Sequence, residues 1–375
     1  MKILVAMDSF KGSLSSLEAG QAVKRGIARV LPRADVSILP LADGGEGTAE
    51  TLAYALDGQY HYEEVLDPLG RKTEGYFVLL PGNTAVVELA VASGLTLLQE
   101  NERNPFLTST YGSGQLIRAA LARGAKKIIV GLGGSATNDG GAGLLQALGL
   151  GLLDENRKPL PLGGIHLKDL AYINAENIMS EFKSAEILIA SDVNNPLLGE
   201  SGASAIFGPQ KGATPSQVEA LDAALNNYNE VLFKTLGQNF KDIKGAGAAG
   251  GTTVALLAFS QAQIEPGIDL VLDTLNFEEK LKKADLLIGG EGKIDKQTLL
   301  GKGLMGLAQR ARKYNVPFLA LAGSIEEGAE GLYQHGLSAM LPIAPGPITL
   351  DSSLAHAAQL IETASERALR LITLL

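Results

Sequence analysis

Apolar runs that end in glycine-rich polar loops recur along this chain, and most of them precede a segment of helical period. The first run covers residues 3–7, and its loop covers residues 8–14. The segment that follows has a capping box at Ser15 and Glu18 and an apolar stripe at spacings of three and four residues, which predicts an amphipathic helix. Strands that alternate with helices in this way predict a parallel sheet covered on both faces.

Further runs of the same kind predict the remaining buried strands. They cover residues 36–41, 128–130, 187–190, 286–289, 318–322 and 339–343. Residues 60–90 differ, because turn signals separate short runs of alternating polarity, and this predicts an antiparallel meander. We therefore expect a doubly wound α/β domain formed by residues 1–60 and 280–375, with a mixed α/β domain inserted at residues 61–279.

The composition limits the classes of protein to which this chain can belong. Of the 375 residues, 46% are apolar and 19% are charged, which indicates a globular chain with a large core. The net charge of −9 argues against a surface for nucleic acid or anionic membrane. The chain has no cysteine, which excludes disulfides, thiolate zinc sites and thiol nucleophiles. The N-terminal apolar run is too short for a signal sequence, and no stretch approaches about 18 apolar residues, so we expect a soluble cytoplasmic protein.

Two glycine-rich loops are candidates for binding an anion. The first is Gly131-Leu-Gly-Gly-Ser-Ala-Thr-Asn-Asp139, which follows a predicted strand and precedes an apolar helix. Glycines let backbone N–H groups approach a phosphate, and Ser135 and Thr137 add hydroxyl donors. The alternative is a tight turn with an Asx cap. The second loop covers residues 245–253, where a close-packed helix crossing is an equally good explanation.

Four acidic loops also lie at predicted strand ends. They cover residues 8–11, 43–46, 192–195 and 291–295. Lysines occur in or near these loops, at Lys11, Lys211, Lys293 and Lys302. Each loop alone is explained as well by an Asx turn or a helix cap. Together they indicate phosphoryl transfer, which needs cations and N–H groups on the phosphates and carboxylates on Mg²⁺. The four histidines show no metal-ligand spacing, and we interpret them as structural or surface residues.

Six segments of the chain resemble one known family. They are Asp8-Ser-Phe-Lys-Gly-Ser-Leu-Ser15, Ala42-Asp-Gly-Gly-Glu-Gly-Thr48, Gly131-Leu-Gly-Gly-Ser-Ala-Thr-Asn-Asp-Gly-Gly141, Ser191-Asp-Val-Asn-Asn-Pro-Leu197, Phe207-Gly-Pro-Gln-Lys-Gly-Ala213 and Gly290-Glu-Gly-Lys-Ile-Asp-Lys-Gln-Thr298. The chain resembles the type-1 bacterial glycerate kinases from residue 1 to the last helix. The resemblance implies a flavodoxin-like domain with a second domain inserted into it. It also implies ATP- and Mg²⁺-dependent phosphorylation of D-glycerate, generally at the 2-position, whereas other glycerate kinases make the 3-phosphate.

We assign roles to residues of these matching segments and of the glycine-rich loop of residues 245–253. The ATP phosphates are expected to lie against Gly133, Gly134, Ser135, Thr137, Gly250, Gly251 and Thr252. Asp192 and Glu291 are expected to bind Mg²⁺, with Asp192 also counted as catalytic. Lys11 and the segment Gly44, Gly45, Glu46 and Gly47 are expected to hold the substrate carboxylate. Asp8 or Asp43 would orient the reacting hydroxyl, and Lys293 would neutralise charge on the transferred group.

Three other interpretations stay open. A kinase for another polyol or hydroxy acid could use a Gly-Leu-Gly-Ser-Ser-Ala loop, which residues 131–136 partly match, but it predicts a fold without βαβ units at both termini. A non-catalytic regulator that senses glycerate or nucleotide is disfavoured because the chain has no basic patch or helix-turn-helix signal. A nicotinamide oxidoreductase lacks the expected glycine fingerprint after the first strand. The oligomeric state and the choice between C2 and C3 are also open.

Overall fold

The computed structural model describes residues 1–296, 298–300 and 303–374. The strands are β1 (Lys2–Met7), β2 (Asp35–Ile38), β3 (Gln59–Leu66), β4 (Lys72–Leu80), β5 (Thr84–Glu88), β6 (Lys127–Gly131), β7 (Gly151–Leu153), β8 (Tyr172–Asn174), β9 (Glu186–Ala190), β10 (Gln261–Glu265), β11 (Leu286–Ile294), β12 (Phe318–Ile325) and β13 (Ala339–Pro342).

The α-helices lie between these strands. They are α1 (Ser16–Val30), α2 (Thr48–Leu56), α3 (Ala90–Ser93), α4 (Tyr111–Ala122), α5 (Ala142–Ala147), α6 (Ser180–Ser184), α7 (Ala203–Phe207), α8 (Pro215–Leu236), α9 (Ala248–Phe259), α10 (Gly267–Thr274), α11 (Phe277–Leu281), α12 (Gly303–Tyr314), α13 (Leu350–Ala355) and α14 (Ala357–Ile372). Short 3₁₀ helices cover Leu95–Leu97, Glu100–Glu102, Gly164–Asp169, Pro209–Lys211, Thr298–Leu300 and Ala329–His335.

The first of two compact units contains Met1–Asp43, Glu50–Leu56 and Ile268–Leu375. Its five-stranded parallel sheet has the order β13-β12-β11-β1-β2. Counted along the chain, this is the 2-1-3-4-5 order of flavodoxin-like folds. The prediction for α1 is confirmed, because the capping box at Ser15 and Glu18 is present and the apolar stripe is buried. An added Cβ on Gly26 of α1 would lie 2.3 Å from the Glu362 carbonyl of α14, so these helices pack with their backbones close together.

The second unit contains Gly44–Ala49 and Asp57–Gly267. Its main sheet has six strands in the order β10-β9-β6-β5-β4-β3, and a separate pair is formed by β7 and β8. The predicted antiparallel meander is present as β3, β4 and β5. Strand β5 also pairs in parallel with β6, so the meander continues the parallel part of the same sheet. The predicted fold class, a flavodoxin-like sheet from both chain ends with an inserted mixed α/β part, is confirmed.

Several element limits differ from prediction for local reasons. Strand β2 ends at Ile38, although the N–H groups of Leu39 and Leu41 still donate to the Val5 and Met7 carbonyls of β1. Strand β11 continues past its glycines to Ile294, since Lys293 still pairs with Ser324 of β12. The chain passes between the two compact units within residues 43–57 and again after residue 267. The limits of separately folding domains at residues 60 and 280 stay a prediction. Within the described part of the chain, no helix is long and apolar enough to cross a membrane.

Candidate active site

The four parallel strands of the second unit end along one row of residues. Glu88 of β5 is in register with Gly131 of β6, which is in register with Ala190 of β9. Ala190 is in turn in register with Glu265 of β10. Ligands of open α/β sheets bind outside the carboxyl ends of the strands. The loops that follow this row therefore form the candidate site in the second unit.

The segment of residues 44–47 lies against this row. An added Cβ on Gly44 would be 2.5 Å from the Ala190 Cβ, and one on Gly131 would be 2.9 Å from the Gly44 carbonyl oxygen. An added Cβ on Gly133 would be 2.9 Å from the Gly45 Cα. The structure thus brings together two glycine motifs that lie far apart in sequence, with no room for side chains between their backbones.

Glu88 holds the start of α2 and was not singled out in the sequence. Its side chain is 5% exposed, and one carboxylate oxygen accepts a hydrogen bond from the Ala49 N–H at 2.7 Å. The N–H groups of Gly47 and Thr48 also donate to it, so the Gly47 amide, which we expected to face a substrate, is engaged by Glu88. Burial raises the pKa of Glu88 above its usual range, and these hydrogen bonds partly oppose the rise. The sequence signal that could have identified Glu88 is a carboxylate at the end of a buried strand.

Asp139 stabilises the glycine loop from inside the protein. Its Oδ2 accepts hydrogen bonds from the N–H and hydroxyl of Thr110, both at 2.9 Å, and from the Gly143 N–H at 3.2 Å. Its Oδ1 accepts from the Gly141 N–H at 3.1 Å. The residue is 1% exposed, and burial raises its pKa. For this residue the structure favours the capping alternative over a contact with metal or substrate.

Lys211 lies beneath the same loop. Its Nζ donates to the Ser135 Oγ at 2.9 Å and to the Thr137 carbonyl oxygen at 2.7 Å, and the residue is 2% exposed. Burial lowers the pKa of Lys211 to about 7, and the negative charge of Asp139 partly opposes this shift. Sequence alone assigns no role to this lysine, because nothing in the local sequence shows that the side chain turns inward.

The second glycine-rich segment packs against the first. The Gly250 carbonyl accepts a hydrogen bond from the Gly140 N–H at 2.9 Å, and an added Cβ on Gly250 would be 2.1 Å from the Thr137 carbonyl oxygen. Gly250, Gly251 and Thr252 are all buried, and the Thr252 hydroxyl donates to the Ala249 carbonyl at 2.8 Å. Close packing requires these glycines, and the segment supports the loop from behind, while the expected contact of Gly250, Gly251 and Thr252 with the ATP phosphates stays a prediction.

Asp192 follows β9 and lies beside the start of α10. It is exposed, and its Oδ1 accepts a hydrogen bond from the Gly267 N–H at 3.1 Å. Its position at the carboxyl end of a parallel strand agrees with the expected placement of a ligand-binding carboxylate.

In the first unit, Asp8 lies directly after β1. Its N–H donates to the Gly290 carbonyl at 2.8 Å, and its Oδ1 accepts from the Ser9 N–H at 2.6 Å. Burial raises the pKa of Asp8 to about 6. The negative charge of Asp43 adds to this rise, while Ser9 and the Lys11 cation oppose it. The charges of Asp43 and Lys11 therefore both act on Asp8.

Glu291 and Lys293 lie at the carboxyl end of β11, next to β1. The Glu291 Oε1 accepts a hydrogen bond from the Thr298 hydroxyl at 2.8 Å. Lys293 forms ion pairs with Asp295 at 3.3 Å and Glu326 at 2.9 Å, and these partners raise its pKa. Lys302, noted in the sequence near this segment, lies outside the described residues.

The site residues are thus divided between the two units. The first unit holds Asp8, Lys11, Asp43, Glu291 and Lys293, and the second holds Gly44–Gly47, the glycine loops and Asp192. Among the described residues, no group of three or more His, Cys, Asp or Glu side chains is placed to hold a metal ion. Carboxylate oxygens are nevertheless the ligand type that Mg²⁺ uses, commonly one or two from the protein together with substrate phosphates.

Comparison with known proteins assigns the chain to a family. The profile of the "Glycerate kinase family" matches residues 3–373. A glycerate kinase of Bacillus subtilis is 47% identical over 363 residues, covering 96% of this chain and 95% of that protein. The glycerate 2-kinase of Escherichia coli K12 is 44% identical over 354 residues, covering 94% and 93%.

A solved structure agrees with this assignment. The crystal structure of a protein assigned as glycerate kinase 2 from Salmonella typhimurium LT2 matches with a TM-score of 0.91 at 43% identity, covering 100% of this chain and 98% of that chain. The chain therefore belongs to the glycerate kinase family, and the protein is an enzyme of the kinase class.

Proposed function

We propose that this protein transfers a phosphoryl group from ATP to D-glycerate in the cytoplasm, in a Mg²⁺-dependent reaction that gives 2-phospho-D-glycerate. Membership of the family supports the acceptor. Two relatives, one named glycerate 2-kinase and one assigned as glycerate kinase 2, support the 2-position. The proposed partners are these two small molecules, and the net charge of −9 favours neither nucleic acid nor anionic membrane.

The contact between the two glycine motifs carries the proposal for ATP. Gly133 and Gly45 approach so closely that an added Cβ would be 2.9 Å from the facing Cα, and a buried lysine lies beneath Ser135. Backbone N–H groups that no side chain covers are the usual ligands of phosphate at a strand-to-helix loop. Gly133, Gly134, Ser135 and Thr137 would hold the phosphates, and residues 250–252 would keep this loop in place.

The electrostatics of the first unit support the roles on the acceptor side. Lys11 is exposed beside Asp8, and Asp8 with a pKa of about 6 is ionised at neutral pH. An ionised carboxylate within reach of a substrate hydroxyl orients it and accepts its proton. In this proposal, Asp8 does this for D-glycerate, Asp43 supports it, and Lys11 with the backbone of residues 44–46 binds the carboxylate.

Asp192 and Glu291 fit Mg²⁺ by the chemistry of their oxygen donors. When bound, Mg²⁺ neutralises charge on the phosphates of ATP. Lys293 would offset charge on the transferred group, although its ion pairs with Asp295 and Glu326 reduce the field it can supply.

A coupled assay tests the activity. We expect ADP release that requires D-glycerate, that stops when EDTA chelates the metal, and that returns with excess Mg²⁺. Phosphorus NMR of the product then distinguishes the two positions, because a phosphate on C2 couples to one proton and a phosphate on C3 to two. Turnover with mevalonate, homoserine or galactose but not with D-glycerate would reject the proposed acceptor.

Substitutions test the carboxylate roles. Asp192→Asn and Asp43→Asn each keep the side-chain shape and remove the charge, so we expect kcat/KM to fall by at least about 100-fold. Glu200→Gln, an exposed change, is the control for loss of one negative charge. A kcat/KM within about threefold of the parent for either Asp variant would show that the role assigned to that residue is wrong.

A further inference from the structure

Lys211 is a buried lysine of the second unit, and no carboxylate of the described residues forms an ion pair with it. It is 2% exposed, and its hydrogen-bond acceptors among the described residues are neutral oxygens, the Ser135 hydroxyl and the Thr137 carbonyl. Asp139 acts on it only through the field of its charge. A buried charge without an ion-pair partner costs several kcal/mol of desolvation. The contribution of Lys211 to stability therefore does not explain its presence.

The geometry shows what the ammonium group can do for the loop. An ammonium group has three donors and no acceptor. When it donates to the Ser135 Oγ at 2.9 Å, the hydroxyl proton of Ser135 must point away from Lys211. Its second bond, to the Thr137 carbonyl at 2.7 Å, holds the other end of the same turn. Lys211 thus fixes the turn from beneath and leaves the Ser135 proton available to a ligand.

Other polar groups of the loop also have unused capacity. The Thr137 Oγ1 and the Asn138 Oδ1 are buried without a hydrogen-bond partner in the described structure, although the Asn138 Nδ2 donates to the Ser204 Oγ at 2.9 Å. Buried polar atoms are nearly always paired in native proteins, with protein groups, water or a ligand. These atoms and Lys211 belong to one small region on the inner side of residues 133–138.

We propose that Lys211 is a positioning residue for the nucleotide, which holds residues 133–137 in place and turns the Ser135 hydroxyl toward the phosphates. This inference rests on the proposed function, in that residues 133–137 bind ATP. Negative phosphates close to the loop would favour the protonated form of Lys211, whose attraction for a polyanion is strong because little water screens the two charges. Lys211 therefore sets the affinity for ATP and has little effect on the affinity for glycerate.

The test compares Lys211→Met with the parent enzyme. Methionine keeps a long unbranched chain and removes the charge and the donors. We expect the Kd of a non-hydrolysable ATP analogue, measured by calorimetry with Mg²⁺, to rise at least about tenfold, the effect of losing a hydrogen bond to a charged group. The KM for D-glycerate should stay within about twofold and kcat at saturating ATP within about threefold. Equal rises in both KM values would indicate a general disturbance of the site and would overturn the inference.

Tyr228→Phe is the matched control. The Tyr228 hydroxyl is buried without a hydrogen-bond partner among the described residues, and its ring packs where an added Cβ on Gly140 would lie 2.8 Å away. Removing this hydroxyl changes a polar atom near the same loop without touching Ser135 or Lys211. We expect an unchanged Kd for the ATP analogue. A loss of affinity for the ATP analogue as large as that of Lys211→Met would contradict the specific role of the lysine.

Ser135→Ala provides a second route if Lys211→Met does not fold. It removes the hydroxyl that Lys211 orients, and we expect the Kd for the ATP analogue to rise at least about fivefold. An unchanged Kd would overturn the inference.

Binding is measured without acceptor, so the two proposals fail separately. A parent enzyme that binds ATP but does not phosphorylate D-glycerate rejects only the proposed function, and one that binds no ATP rejects both.

Discussion

The carboxylates of Asp8, Glu88 and Asp139 share a raised pKa but have different environments. Asp139 is enclosed and accepts hydrogen bonds from Thr110, Gly141 and Gly143, so its oxygens are used within the protein. Glu88 likewise binds N–H groups of the protein. Asp8 accepts from Ser9 and faces the negative charge of Asp43. At the scale of the residue, the partners separate a structural carboxylate from one that can meet a substrate.

The raised pKa of Asp8 predicts a dependence of stability on pH. Asp8 has a pKa of about 6 when folded against an ordinary value of 3.8, so the folded state favours the protonated form. The stability contributed by this proton is complete below pH about 4 and is lost as the pH rises through about 6.

We therefore expect Asp8→Asn to raise the free energy of unfolding at pH 8, by on the order of 2 kcal/mol, and to change it little at pH 4. Urea unfolding in EDTA at the two pH values measures the difference. Glu200→Gln removes an exposed charge and should change little at either pH. If Asp8→Asn raises the free energy of unfolding equally at both pH values, the raised pKa assigned to Asp8 is wrong. The same variant should lose activity, since it cannot accept a proton.

At the scale of the element, close backbone contact explains the glycines of the loops. Gly133 has no left-handed φ, so its requirement for glycine comes from the contact with Gly45 and not from backbone strain. In contrast, Gly134, Gly140 and Gly141 have positive φ values and permit the turn into α5. The first kind of glycine is expected to matter for ligand binding and the second kind for folding of the loop.

Gly133→Ala tests this distinction. The added methyl group meets backbone atoms that cannot rotate away, so residues 44–47 must shift, and we expect kcat/KM to fall at least about tenfold. The melting temperature should fall by only a few degrees. Gly346→Ala is the control, because an added Cβ there meets nothing within 4 Å. Parent-like kinetics for Gly133→Ala would show that the close contact is unimportant for the site.

Glu88→Ala tests the start of α2. Its loss leaves the N–H groups of residues 47–49 without their acceptor, and a buried donor left unpaired costs about 1–3 kcal/mol. We expect lower stability in urea and a higher KM for D-glycerate, because the segment of residues 44–47 is no longer held. Glu88→Gln, which keeps one acceptor oxygen, should recover part of both. If the alanine and glutamine variants match the parent, the segment is held by other contacts.

At the scale of the whole molecule, each of the two compact units has its own hydrophobic cluster. One cluster includes Val5, Ile288 and Leu321 in the first unit, and the other includes Ile128, Phe182 and Ile187 in the second. Units with separate cores commonly violate two-state unfolding. We therefore expect the calorimetric enthalpy of thermal unfolding to exceed the van't Hoff enthalpy. Equal enthalpies would show that the chain unfolds as one cooperative unit.

Local sequence patterns were sufficient to predict the features that depend on neighbouring residues in the chain. The capping box before α1 and the apolar runs of β1, β6 and β9 follow from periodicity and from burial of one face. The fold class followed from the alternation of these elements together with the resemblance of six loop motifs to a known family. The predicted roles of Asp192 and Glu291 in binding Mg²⁺ stay predictions.

Contacts between distant segments were decided only by the tertiary structure. Lys211 reaches Ser135 and Thr137 across more than 70 positions of sequence, and Glu88 reaches Ala49 across 39. The continuation of β11 to Ile294 and the kink at Gly250 likewise depend on partners from other elements. A sequence pattern reports what each residue prefers, whereas the burial of a charge or the close approach of two glycines depends on which segments the folded chain brings together.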